Sequence, residues 1–188
     1  MASAITHFVV GAALALPAVR SARLRRVLPP WAIPVTAGLL AVIPDVDVLW
    51  FRDFPYNSAL GHRGFSHALF TLILFASVLA AVTARTSRQA AAQLALIWAV
   101  SAITHPLLDM LTDGGSGIMV LFPFSPERLF FSWRPIHVSP LNALRFFSGA
   151  GYILKSELPF CLAAVAIGVS VFLLWRPAIA QQSREAPS

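Results

Sequence analysis

Five histidines and a few aspartates carry most of the chemistry available to this chain, and several of them stand at metal-ligand spacings. In Thr-His-Pro-Leu-Leu-Asp, His105 and Asp109 are four residues apart. On a helix that spacing puts an imidazole and a carboxylate on one face, a common way to hold a borderline ion such as zinc. Pro106 between them can kink the helix and free a carbonyl. Asp113 follows four later, but Gly114-Gly115 ends the helix there. Asp113 is therefore a ligand, a carboxylate that orients a ligand, or a C-terminal turn residue. In Pro-Asp-Val-Asp, Asp45 and Asp47 alternate, so an extended or turning backbone points one into a site and the other toward the residues around it. In His-Arg-Gly-Phe-Ser-His, the five-residue step from His62 to His67 is wrong for one helix face. It works if Gly64 lets the chain turn, with His62 in a loop and His67 at a helix start. His7 comes early and His137 late.

Such a set suits metal-assisted hydrolysis, in which the ion lowers the pKa of bound water and polarises a phosphoryl oxygen. Asp45 or Asp109 would take the water's proton or bridge two ions, and Arg63 would neutralise phosphate charge. Each piece also has a plainer reading. A histidine at a membrane interface contacts headgroups, Pro-Asp-Val-Asp ends a helix, His-x-x-x-Asp makes a local hydrogen bond, and Arg63 marks topology. The functional reading rests on the conjunction of four segments.

The elements that must position these residues are membrane spans. Of 188 residues, 57% are hydrophobic and only 12% charged, and the mean hydropathy is +0.74. Soluble domains carry about a quarter charged residues, so the chain reads as one polytopic membrane domain. The net charge of +6 is then no nucleic-acid signature, because most basic residues flank apolar runs where they suit anionic headgroups. The single cysteine, Cys161, excludes an intrachain disulfide and a cysteine-based zinc site. The N-terminus reads as a retained span, since its arginines follow the apolar stretch. A spanning helix needs roughly 17–25 apolar residues. Five candidates meet or approach this: Ala4 to Val19, Trp31 to Trp50, Ser66 to Ala84, Gln89 to Leu111 and Leu158 to Trp175. The Gly- and Pro-rich stretch from Gly114 to Phe124 reads as a loop or re-entrant segment. Residues 125–157 read as a loop with a short interfacial helix from Leu141 to Phe147, and residues 181–188 as a disordered tail.

Loop charge orients the bundle. Arg20, Arg23, Arg25, Arg26, Arg85, Arg88, Arg176 and Arg184 lie on one side of a five-span arrangement, in short segments. Arg52, Arg63, Arg128, Arg134, Arg145 and Lys155 are spread over longer loops. This places the C-terminus in the cytoplasm. All five histidines, with Asp45, Asp47, Asp109 and Asp113, then fall at the outer face. Ionisable residues in or near a span are costly and are functional candidates by default.

Thr6-His7, Pro44-Asp45-Val46-Asp47, His62-Arg63-Gly64-Phe65-Ser66-His67, His105 with Asp109, and Leu121-Phe122-Pro123 together resemble the YdjM family, inner-membrane proteins described as metal-dependent hydrolases. The resemblance covers roughly residues 4–125, and His-Arg-Gly-Phe-Ser-His is its most specific part. That family is in turn similar to the zinc-dependent phospholipase C and nuclease superfamily. The similarity implies an all-helical fold and a zinc site drawn from His7, Asp45 or Asp47, His62 or His67, and His105 with Asp109. The superfamily's second His-x-x-x-Glu pair has no counterpart, because Leu141 stands four after His137, and Met1 gives no sign of a processed amine ligand. One or two ions are therefore expected.

The expectation is thus an all-α membrane bundle of four to five transmembrane helices with a divalent metal, zinc by preference, at its periplasmic or outer face. Its partners would be membrane lipids and a lipid or other phosphoester, with no nucleic acid. The alternatives are a metal or ion transporter, and a non-enzymatic membrane protein with a structural metal.

Overall fold

The computed structural model describes residues 1–50, 53–140 and 143–175, with only the backbone described for 143–145. Arg52, Arg176, Arg184, Leu141 and the expected tail from 181 lie outside the described residues. The described residues form five α-helices and no strands: α1 (Ala4–Ala15), α2 (Ala32–Val42), α3 (Leu69–Thr83), α4 (Arg88–Met110) and α5 (Ala143–Leu174). Three stretches are long and apolar enough to cross a membrane, namely Ala32–Leu49, Arg88–Met110 and Phe146–Leu174. The apolar helices Ala4–Arg20 and Leu69–Thr83 are shorter.

Local chemistry sets the helix ends. Ser3 caps α1 by accepting from the Thr6 N–H, and Ser87 caps α4 by accepting from the Ala90 N–H, each satisfying a donor with no partner inside the helix. Pro44 lacks the N–H that would continue α2, and from Ile43 to Leu49 the chain tightens into a 3₁₀ helix that carries Asp45 and Asp47. A second 3₁₀ turn, Phe65–His67, precedes α3. The α3 start is completed from outside, where the Leu69 N–H donates to the Val120 carbonyl at 3.0 Å. The Gly114-to-Phe124 stretch is thus an irregular loop whose Ile118, Met119 and Val120 are buried.

Helix packing relies on small residues, as expected where lipid offers no hydrophobic drive between helices. α1 lies on α2 so closely that a Cβ at Gly11 would overlap the Ala41 side chain. α3 and α4 pack through Ala76, Ala80, Ala84 and Ala90, with Leu94 and Trp98 filling the remaining space. Away from the His/Asp cluster this core is apolar apart from the Trp98 indole, which donates to the Thr36 hydroxyl.

α5 departs from the sequence expectation of a separate interfacial helix followed by a span from Leu158. It is continuous from Ala143 through Pro159 to Leu174. A proline interrupts one backbone hydrogen bond, and the apolar surroundings hold the helix together across it. Glu157, the last residue of the expected loop, is instead fully buried within the helix. Its carboxylate accepts from the Ser3 N–H, the Ser3 hydroxyl and, at 2.7 Å, the Thr6 hydroxyl. A buried carboxylate is tolerated only when hydrogen-bonded, and here it completes the cap of α1 and complements that helix's positive end. Replacing Glu157 with alanine leaves these donors unpaired. The expected loss is about 2–4 kcal/mol, read by denaturant unfolding of the detergent-solubilised protein; a loss below about 0.5 kcal/mol would contradict this role.

Candidate metal centre

The ends of four segments meet at one face of the bundle. α1 supplies His7 from its first turn, the 3₁₀ extension of α2 supplies Asp45 and Asp47, the turn before α3 supplies His62, Arg63 and His67, and the last turns of α4 supply His105 and Asp109. All eight side chains are buried, and His7, His67, His105 and Asp109 are at 0% exposure.

Asp45, His67, His105 and Asp109 converge. One ligand atom from each lies within 4.8 Å of every other. His105 Nε2 is 3.1 Å from His67 Nε2, 3.4 Å from Asp45 Oδ1 and 4.0 Å from Asp109 Oδ2. His67 Nε2 is 3.7 Å from Asp45 Oδ1 and 3.9 Å from Asp109 Oδ2. Four ligands at zinc bond lengths and tetrahedral angles stand about 3.3 Å apart, close to these separations. A second group, Asp45, Asp47 and His62, meets the same criterion and shares Asp45.

Neighbouring hydrogen bonds fix both imidazoles of the first group in one tautomer. His105 Nδ1 is 2.7 Å from the Ala41 carbonyl; a carbonyl can only accept, so Nδ1 carries the proton. The Ser66 hydroxyl donates its one hydrogen to Asp47 Oδ2 at 2.8 Å, because a carboxylate can only accept. Ser66 Oγ must then accept from His67 Nδ1 at 2.9 Å. Both Nε2 atoms are left with lone pairs aimed at each other and at two carboxylates. The oxygens of Asp45 have no hydrogen-bond partner although they are buried, and neither do the ring nitrogens of His7. A proton relieves this arrangement only by charging one ring, whereas a divalent cation satisfies all four acceptors together. The residues present fit such an ion, and the backing of each imidazole by a hydrogen bond is the usual support for a metal-binding histidine.

The remaining candidates surround this point. His7 stacks on His105, with ring centroids 3.7 Å apart, and its Nε2 is 3.3 Å from Asp109 Oδ1. It stands beside the converging ligand groups and belongs to neither. Asp47 accepts from His62 Nδ1 at 2.7 Å and from the Arg63 N–H at 3.1 Å, so it braces both ends of the His-Arg-Gly-Phe-Ser-His turn. That turn is made at Arg63 itself, which adopts φ +62°, a left-handed conformation uncommon outside glycine. The guanidinium donates to Asp109 Oδ2, the Gly114 carbonyl and the Thr112 hydroxyl. Gly115, at φ +95°, leaves it room, since a Cβ there would overlap Arg63 Nη1. With Tyr56, His62 and Gly115, Arg63 lines a cavity of about 80 Å³.

Asp113 and His137 lie nearer the surface and pair with each other at 2.8 Å. Burial opposes ionisation of Asp113, but the bonds from His137 and the Val138 N–H outweigh it and hold the carboxyl below its ordinary value. The tie therefore contributes above about pH 4 and is lost as pH falls through the depressed value. Sequence reasoning did not single out Ser66, Thr112, the Ala41 carbonyl or Glu157. For Glu157 a signal existed, as one of only eight acidic residues abutting an apolar run. The others act through hydrogen bonds that no spacing encodes.

A family model described as YdjM inner membrane protein matches residues 1–182. Inner membrane protein YbcI of Escherichia coli (strain K12) is 36% identical over 136 residues, spanning 71% of this chain and 78% of that protein. No solved structure matches the chain.

Because Ser66 sets the tautomer of His67, a divalent ion held here, with zinc as the probe, is expected to bind Ser66→Ala about 10–100-fold more weakly while every ligand residue remains. Competition against a chromophoric chelator reads this directly. An unchanged affinity would show that the hydroxyl does not orient the ligand.

Proposed function

The chain belongs to the YdjM inner membrane protein family, and we propose that within it this protein is a metal-dependent hydrolase of phosphoesters at the membrane surface. The observation that carries the reading is that the two ligand groups share Asp45, whose oxygens have no other partner. Sites built for two adjacent ions are characteristic of phosphoester hydrolysis. When bound, a divalent ion supplies Lewis acidity and makes a water acidic enough to attack near neutral pH. The chain's own residues do the rest. His67 and His105 present fixed lone pairs. Asp45 spans the two groups. Asp109, oriented by Arg63, is placed to accept a proton from the attacking water. Arg63 faces the small cavity beside His62, where its charge complements a phosphate.

A structural metal is the second reading. One observation favours it: the four ligand atoms of the first group are at tetrahedral spacing and buried, as in a closed site. Metal content and phosphodiesterase activity of the purified, detergent-solubilised protein separate the two. Bound zinc without turnover of any phosphodiester would leave only the structural reading. Asp109→Asn and His105→Ala are each expected to abolish hydrolysis, by at least 100-fold, while the protein still inserts into the membrane. Full activity in either variant removes these residues from the catalytic assignment.

The reading also places the centre on the periplasmic or outer face, with the arginine-rich loops at Arg23 and Arg85 in the cytoplasm. In a background with Cys161 replaced by alanine, Asn57→Cys should react with a membrane-impermeant thiol reagent in intact cells, and Thr86→Cys should not. The reverse pattern would put the centre in the cytoplasm.

A further inference from the structure

α2 and α3 both lean on α4 and make few contacts with each other. The gap between them holds two cavities of about 340 and 290 Å³, with Ile43 in the lining of both. We infer that this groove holds one acyl chain of a membrane phospholipid, so that the substrate at the metal centre is a bilayer lipid and not a soluble phosphoester. The inference rests on the hydrolase reading for the word substrate; the groove itself is independent of it.

One end of the groove is part of the metal centre's own backbone. Pro44 and Val46 line it on either side of Asp45, and Phe65 and Ser66 line it just before His67. From there it follows α3 past Thr71 and Phe75 to Leu79 and Thr83. That is about 18 Å of helix at 1.5 Å per residue, near the roughly 15 Å that one leaflet contributes to a 30 Å hydrocarbon core. The length therefore suits a single acyl chain with its head at Asp45.

The lining is almost entirely hydrocarbon, and of its polar side chains Ser66, Thr83 and Thr36 are already bonded within the protein, which leaves the Thr71 hydroxyl and the Trp50 indole as its few polar points. The Ser66 hydroxyl is held by Asp47, the Thr83 hydroxyl donates to the Leu79 carbonyl, and Thr36 donates to Ala32 and accepts from Trp98. A water-soluble ligand would find no charged group there and little to hydrogen-bond. The groove also opens sideways into the bilayer, because Leu39, Ile43, Val46 and Phe75 on its rim are exposed and the neighbouring α3 residues Ile73 and Leu74 face outward. A lipid could slide in laterally and bring its phosphate to the centre without leaving the membrane.

The full-length protein in phosphatidylethanolamine and phosphatidylglycerol vesicles, doped with a phospholipid bearing a diazirine on one acyl chain, provides the test. After photolysis, peptide mapping should find adducts on Leu39, Ile43 and Phe75 at least five-fold above those on Leu162 and Ile167, exposed apolar residues of α5. Ile43→Trp, which enlarges the side chain common to both cavities, should remove the enrichment. Leu39→Trp, at a more exposed rim position, serves the same purpose if the first variant does not fold. Equal labelling of the groove and α5 would overturn the inference, whatever the hydrolysis assay shows. Enrichment in a protein that turns over neither lipid nor a soluble chromogenic phosphodiester would uphold the groove and overturn the hydrolase reading.

Discussion

Four acceptors aimed at one buried point are the constraint on which this architecture depends. The Nε2 lone pairs of His67 and His105 and the carboxylates of Asp45 and Asp109 face one another in a buried region of the bundle. Burying even one ion costs several kcal/mol after relaxation, and an unpaired buried polar group costs about 1–3 kcal/mol. A protein that simply wanted a stable bundle would fill this space with leucine. The arrangement is held open by rigid neighbours: a backbone carbonyl behind His105, a Ser66–Asp47 relay behind His67, and a left-handed Arg63 clamped between Asp109, Thr112 and Gly114. Each of these opposes the separation that mutual repulsion would otherwise favour, and together they leave a point that could hold a cation.

The helices are shaped around this need. α2 ends at Val42, just before Pro44, and the 3₁₀ turn that follows aims Asp45 and Asp47 differently from a continued α-helix. α3 starts late, after the turn that presents His62 and His67, and borrows the Val120 carbonyl to satisfy its first donor. α1 is only 12 residues long, and its position is set by Gly11 against α2 on one side and by Glu157 of α5 on the other. The ends of the helices are therefore the functional part, and their apolar middles serve as a frame.

Much of this was legible beforehand, for reasons that can be named. Hydropathy registers the spans because lipid exposure demands long apolar runs. The i, i+4 spacing of His105 and Asp109 fixes a shared helix face whatever the tertiary fold. The clustering of the histidines at one side followed from counting spans. What could not be read was everything that depends on a partner distant in sequence. Glu157 is buried inside α5 where it meets Ser3, 154 positions away, a pairing that hydropathy does not register. That Asp45 falls in both ligand groups and Asp47 only in the second, left open by their alternation, depends on where the turn at Arg63 brings Ser66 and His62. His7 had the right type and the right side of the membrane. Its ring stacks flat on His105 and its Nε2 approaches Asp109 from the far side, 3.3 Å from Oδ1, a rotational detail that no pattern of apolar residues records.

The placement of the cluster also bears on the rival idea of a transporter. Transporter sites lie near the midplane, on broken helices that open alternately to both faces. Here the ligands sit at helix ends. Toward the opposite face, the described residues between α2, α3 and α4 are Ala37, Leu40, Ala76, Ala80, Leu94 and Trp98, packed as one apolar core. The hydroxyls nearby are occupied, Ser101 with the Gly11 carbonyl and Thr36 with Trp98. An ion leaving the centre in that direction would shed its ligands and meet only hydrocarbon, at a cost that desolvation makes prohibitive. The α2–α3 gap offers no relief, since its lining is apolar as well. An apolar gap of this kind suits a chain of methylenes better than a hydrated ion, which is why the lipid reading fits the architecture better than the transporter one.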